Sequence, residues 1–263
     1  MGGNRMTRLL LVFFLVVCVF LNAAVDDEYT VVLFHFDNNI IDQSGKSWSG
    51  AVTATTTSKF GGYSAFFNGT SNYITASHTD DFRFEGDFTI DFWMKLLATP
   101  TQYMNVLSSI DENGDIPYWM LWFDNEIGRI GIALSSAESN IIESTTSFVN
   151  ESWNHIAISR SGTSVRLFLN GILNNGTSTN AVLSAVGVQE FRIGKQMNAH
   201  PRYFYGYIDE LRISKGIARW TANFTPPTEP YGSTQSDIAL GINLSADSII
   251  NFSENGTIMF RSN

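Results

Sequence analysis

The stretch FTIDFWMKL, Phe88–Leu96, decides the fold class. Phe88, Ile90, Phe92 and Met94 hold alternate positions, with Thr89, Asp91, Trp93 and Lys95 between them. Successive side chains of an extended chain leave on opposite faces, so a period of two with one apolar set reads as a strand lying on a core. Trp93, on the other face, requires a neighbour there. Comparable runs recur: YTVVLFHF (29–36), YSAFFN (63–68), YITAS (73–77), MNVLSSI (104–110), PYWMLWFD (117–124), RIGIALSS (129–136), WNHIAISRS (153–161), SVRLFLNG (164–171), EFRIGK (190–195) and GYIDELRIS (206–214). No helical period outlasts a turn or two. The joints DQSGKS, KFGG, DENGD, RSGTS, LNGIL and NNGTS supply residues that accept positive φ or close an Asx turn. So many short strands joined by hairpin signals predict an all-β sandwich of two stacked antiparallel sheets.

Upstream of the strands, Arg5 and Arg8 precede 13 consecutive apolar residues, Leu9 to Leu21, followed by Ala23 and Ala24. A spanning helix needs about 20 apolar residues, so residues 1–24 read as a signal peptide and the mature chain as secreted or surface-displayed, with no membrane insertion. Cys18, the only cysteine, leaves with the leader, and the fold must hold by burial without disulfides. Losing Arg5 and Arg8 takes the formal charge from −9 to −11. That sign repels phosphate backbones, which argues against a nucleic-acid partner. A surface rich in Ser, Thr, Asn and Gly suits uncharged polar ligands. TPPTEPY (225–231) cannot sit in a central strand, so it closes a domain spanning 25–232 and leaves a β-like tail, 233–263. Within that tail, IINFSENGTIMF sets Asn255-Gly256 between two apolar runs as a hairpin turn.

Six segments in order carry a family likeness: VLFHFDNNIIDQSGKSWSG, KFGGYSAFFNGTSNYITA, DFTIDFWMK, SWNHIAISRSGTSVRLFLNGIL, FRIGK and GYIDELRISKGIARWTANFTPPTEPY. From about Val31 to Tyr231 the chain resembles the laminin-G-like domains of the concanavalin A-like lectin/glucanase superfamily. The resemblance implies a jelly-roll sandwich of curved sheets, one convex and one concave. It implies function only broadly, since the superfamily holds carbohydrate binders, adhesion modules, virion appendages and some glycosidases. Glycosidases set two carboxyl groups about 5 to 9.5 Å apart across one bond. Asp209 and Glu210, neighbours in a strand, are expected on opposite faces and so cannot do this. The superfamily's glucanases carry acids at i, i+2 and i+5 on a concave strand, whereas FTIDFWMK and YWMLWFD offer only Asp91 and Asp124. The expectation is therefore a binding module and not an enzyme.

The resemblance further implies a structural Ca²⁺ where an early turn meets the last strand, with Asp37, Asp42 and Asp209 as donors to a cation that takes six to eight oxygens. Asp42, opening DQSG, equally fits the first position of a type I turn, which needs no ion. For a ligand, the expected contacts are Trp48 in the early loop, Tyr103 and Tyr118 around DENGD, and His200, Arg202 and Tyr203 in HPRYFY at the rim. Rings pack the apolar face of a sugar while polar groups meet its hydroxyls. Trp119, Trp122, Trp153 and Trp220 read as packing residues. His155, with no second histidine at ligand spacing, reads as a hydrogen-bonded structural residue. The expected partner is a glycan or glycoprotein, and the tail offers an alternative, strand addition to a second copy or to another protein.

Overall fold

The computed structural model describes residues 27–77, 79–97, 103–111, 117–124, 128–134, 141–147, 151–179, 188–196, 198, 201–232, 249–252 and 258–261. The leader-like residues 1–24 lie outside this set. The strands in chain order are β1 (Thr30–Phe34), β2 (Ser49–Ala51), β3 (Thr53–Thr55), β4 (Ser64–Asn68), β5 (Tyr73–Ser77), β6 (Phe88–Leu96), β7 (Met104–Asp111), β8 (Pro117–Asp124) and β9 (Arg129–Ala133). They continue as β10 (Ile141–Glu143), β11 (Asn154–Ser161), β12 (Ser164–Leu169), β13 (Ile172–Ser178), β14 (Val188–Ile193), β15 (Tyr205–Lys215), β16 (Ile249–Phe252) and β17 (Ile258–Arg261). Among the described residues the one helical piece is a single 3₁₀ turn, Asp80–Phe82.

The chain divides into two compact units, Met1–Gly232 and Ser233–Asn263. The first is an all-β jelly-roll sandwich. Its eight-stranded sheet runs β13-β12-β11-β6-β15-β4-β3, with β1 also paired to β15, and its seven-stranded sheet runs β10-β9-β8-β7-β14-β5-β2. The second contains β16 and β17, paired antiparallel from Ile249↔Arg261 to Phe252↔Ile258. The Asn255-Gly256 turn lies outside the described residues.

The alternation of β6 does what its sequence asks. Phe88, Ile90, Phe92 and Met94 are fully buried between the sheets, with Ile156 and Ile158 of β11, Ile208 and Ile213 of β15 and, from the facing sheet, Leu121 and Phe123 of β8. The opposite set is buried too: Thr89, Asp91 and Trp93 are at most 6% exposed. Residues 217–231 cross this outer face as a strap. Thr89 Oγ1 donates to Ile217 O and accepts from Arg219 N, and Phe224 N donates to Gly171 O. Trp220 and Phe224 stack with centroids 4.0 Å apart, and each meets the ring of His155 edge-on. TPPTEPY is thus more than an exit, because a proline-rich segment covers a sheet without seeking a place in it.

Four strands escape the sequence reading: β2, β3, β10 and β13. LNGIL and NNGTS were expected as joints, yet β13 occupies Ile172–Ser178 and pairs along β12. It is an edge strand with every residue exposed or half-buried, so no apolar alternation betrays it; hydrogen bonds hold it, from the β12 backbone and from side chains such as Asn175, which donates to Glu143 O, and Asn223, which accepts Leu173 N.

Candidate functional site

Two polar constellations lie on opposite outer faces of the sandwich. On the eight-stranded sheet, β15 bulges: Asp209 pairs with Trp93, but the next partner of β6, Asp91, faces Arg212. The shift is taken up at Glu210, whose φ is 50°. Two residues therefore stand between the core residues Ile208 and Leu211, and both carboxylates turn outward. This corrects the expectation that Asp209 and Glu210 leave on opposite faces, because a period of two fails where an extra residue is inserted.

Asp209 Oδ2 accepts the amides of Lys59 and Phe60 at 2.7 and 3.1 Å and so holds the KFGG turn. Its Oδ1 is buried with no partner among the described residues. Burial pushes this carboxyl up to about 7, against the pull of the two amides. Glu210 meets His35 Nδ1 at 2.9 Å and accepts Tyr231 N at 2.9 Å. Burial lowers the His35 pKa, but the Glu210 hydrogen bond and charge outweigh it and raise it overall. Arg212 grips Asp91 through two bonds of 3.2 and 3.0 Å. Burial favours the neutral acid, yet the Arg212 charge prevails and holds Asp91 at about 2. His155 Nε2 lies 3.1 Å from the Tyr231 hydroxyl. Asp209 and Glu210 are 0% and 1% exposed, so this acid pair braces the strap and the KFGG turn and meets no dissolved substrate.

The three proposed calcium donors do not form one site. Asp42 Oδ1 accepts Leu33 N and Ser44 N, and its Oδ2 accepts the Trp48 indole N–H at 2.9 Å. Its carbonyl accepts Gly45 N, closing the DQSG turn. Asp37 packs its carboxylate against Gly61, where a Cβ would fall 2.2 Å from Oδ1. No group of three or more His, Cys, Asp or Glu fit to hold a metal occurs among the described residues.

The outer face of the seven-stranded sheet carries a cleft of about 350 Å³. Its floor is one row across four strands: Asn105 of β7 opposite Trp122 of β8, Trp122 opposite Gly131 of β9, and Gly131 opposite Glu143 of β10. A Cβ on Gly131 would lie 2.6 Å from Trp122 Cζ2 and 3.1 Å from Glu143 Cγ. The missing side chain lets the indole lie across the sheet toward Glu143. Met120 and Ala133 pack beside the indole, with Tyr103 against them. The Arg202 guanidinium stands 5.2 Å over the Tyr103 ring. Gln196 is pinned by its backbone, donating to Arg202 O and accepting from Arg192 Nη1, while its Nε2 meets Met120 Sδ at 3.1 Å. Both amide atoms of Asn105 and the Oε1 of Gln196 are buried without a partner among the described residues. They line the same cleft.

Of the expected ligand residues, the structure brings Tyr103 and Arg202 into this cleft. Tyr203 stands apart, with Lys195 Nζ lying over both it and Tyr73. Trp48 is no rim residue: it packs edge-on against Phe34, Phe82 and Phe191 of the core. Tyr118 falls within β8 with its side chain outside the described set, and His200 lies outside the described residues. Sequence reading missed Asn105, Trp122, Glu143 and Gln196. For Trp122 the signal was present: Trp119 and Trp122 are three apart in one strand and so face opposite ways, Trp119 into the core.

Residues 68–219 match the family model of the Concanavalin A-like lectin/glucanases superfamily. No curated protein matches the chain. Among solved structures, a botulinum neurotoxin type C structure described as showing cell entry dependent on two ganglioside molecules matches with a TM-score of 0.54 and 10% identity, over 72% of this chain and 49% of that one. The binding domain of botulinum neurotoxin DC in complex with SialylT matches with a TM-score of 0.53 and 10% identity, over 73% and 49%. Domain 4 of AbnA, an extracellular arabinanase from Geobacillus stearothermophilus in complex with arabinotriose, matches with a TM-score of 0.53 and 17% identity, over 72% and 93%. The chain spans about half the length of the toxin chains. At these identities the likeness speaks for the fold alone.

Proposed function

Starting from a chain that belongs to the concanavalin A-like lectin/glucanase superfamily, we propose that it is a non-catalytic carbohydrate-binding module whose ligand seats in the cleft on its seven-stranded sheet. The observation that carries this reading is the floor row, where an indole lies over the missing side chain of Gly131 beside a buried amide with unmet hydrogen-bonding capacity. A sugar ring offers an apolar face to an aromatic and hydroxyls to planar polar groups. A cleft of about 350 Å³ suits a small ligand or the end of a larger one. Gangliosides, SialylT and arabinotriose, named with the three structural neighbours, support the ligand class. The rim loops enter through Tyr103 and Arg202 at the edge of the cleft, and the sheet face supplies the rest.

Catalysis has no seat in this reading. A glycosidase needs two carboxyl groups, Glu143 is the one acid among the described lining residues, and Asp209 and Glu210 are sealed on the other face. Secretion or surface display belongs to the proposal and rests on residues 1–24. A glycan array probed with the purified chain and with Trp122→Ala tests it. Binding by the wild type that disappears in the variant is expected, whereas no binding to any glycan at high micromolar protein ends the proposal.

A protein-binding role for residues 233–263 is a second reading, motivated by the β16–β17 pair. An isolated hairpin is marginal in water, and strand addition to a neighbour would complete it. A monomer of unchanged mass and stability after deletion of 233–263 counts against it.

A further inference from the structure

We infer that the ligand is a neutral sugar bearing two adjacent free hydroxyls, and that the side-chain amide of Asn105 grips that pair; this rests on the glycan reading of the cleft. Asn105 is 0% exposed and sits in mid-sheet, yet neither Nδ2 nor Oδ1 has a partner among the described residues. Nearly all buried polar side-chain atoms in folded proteins are hydrogen-bonded, and leaving one unpaired is costly, while an apolar residue of the same shape carries no such penalty. Leucine would therefore serve the fold better here. An amide retained against that gradient, lining a cleft, is one whose partner arrives from the cleft.

The chemistry of the amide selects the partner. A carboxamide presents an N–H donor beside a C=O acceptor in one plane. Adjacent hydroxyls match it, one accepting from nitrogen and its neighbour donating to oxygen. Gln196 adds an acceptor, because Nε2 is engaged with Met120 Sδ and Oε1 has no partner among the described residues. It takes the proton of a third hydroxyl. Trp122, directly opposite Asn105 in the register, supplies the surface for the ring that carries them. The charged lining residues, Arg202 and Glu143, are of opposite sign. An acidic sugar laid along the floor row would meet the Glu143 carboxylate, so the site favours a neutral one.

The test is an array of neutral oligosaccharides, arabinotriose among them, and of sialylated oligosaccharides, probed with the wild-type chain and with Asn105→Leu, alongside thermal melts of both. Expected is wild-type binding to neutral members, weakened about tenfold or more in Asn105→Leu, whose melting temperature is equal or higher. Methyl ethers at the adjacent hydroxyls of the best-bound sugar should abolish binding to the wild type, an arm that needs no variant. Binding that survives in Asn105→Leu, a preference for the sialylated members, or a fall in melting temperature of several degrees overturns the assignment of Asn105 while leaving glycan binding standing. Absence of wild-type binding to every member removes the glycan reading and this inference together.

Discussion

At Asp209, burial lifts the carboxyl to about 7 although two backbone amides pull the other way. The folded value lies above the free-carboxyl value of 3.8, so between about pH 4 and pH 7 the folded chain keeps a proton that the unfolded chain has released. Stability then falls as pH rises through this window, by at most about 1.4 kcal/mol per pH unit. His35, raised above 6.5, adds stability that is complete below 6.5 and fades as pH climbs past its folded value. Asp91 acts in the other direction: held at about 2, it contributes above 3.8 and loses that contribution as pH drops toward 2. The melting temperature should therefore peak at the acid end of this window, roughly pH 4, and Asp209→Asn should flatten the decline toward neutrality. A wild-type melting temperature that climbs steadily to pH 8 contradicts this. None of these shifts was legible in GYIDELRIS, since each depends on the folded surroundings: burial for Asp209, the Glu210 carboxylate for His35 and the Arg212 guanidinium for Asp91.

Among the elements, β6 was the most legible, its bounds and its core face following from alternation, while the burial of Thr89 and Asp91 on its other face was not foreseen. The β15 bulge was not, because a left-handed Glu210 leaves no mark in composition and is fixed by the pairing with β6. The strap was half legible: its prolines excluded a strand, but only packing reveals what it covers. Beneath it, Arg212→Met should cost about 3–5 kcal/mol in denaturant unfolding, since it strands Asp91 as an uncompensated buried charge, while Asp91→Leu combined with Arg212→Met should recover most of that loss. In the facing sheet, Gly131→Ala should lift Trp122 from the floor and weaken glycan binding more than it lowers the melting temperature. Equal binding by wild type and Gly131→Ala contradicts the role given to the indole over Gly131. The candidate site was legible to a similar degree. Tyr103 and Arg202 stood out as loop residues, whereas Asn105 and Trp122 lie inside strands and are told from core residues only by knowing which face is buried.

At the scale of the sandwich, the two outer faces differ. The strap closes one and turns its ionisable groups into internal bracing, and the other keeps an indole, an amide pair and opposite charges around a cleft. The proposed recognition therefore falls on the seven-stranded sheet. The lining residues of the cleft all belong to the first unit, so deletion of Ser233–Asn263 should leave glycan binding unchanged. Excess Ca²⁺ followed by EDTA should leave the melt unmoved, because Asp42 is spent on its own turn and a cation that bound the native chain would raise its stability. The most direct measurement is a nuclear magnetic resonance titration with the best-bound neutral oligosaccharide, following the side-chain amide of Asn105 and the indole N–H of Trp122. Both should shift and saturate together with the bound fraction. Saturable shifts elsewhere on the molecule, with these two signals unmoved, contradict the placement of the site.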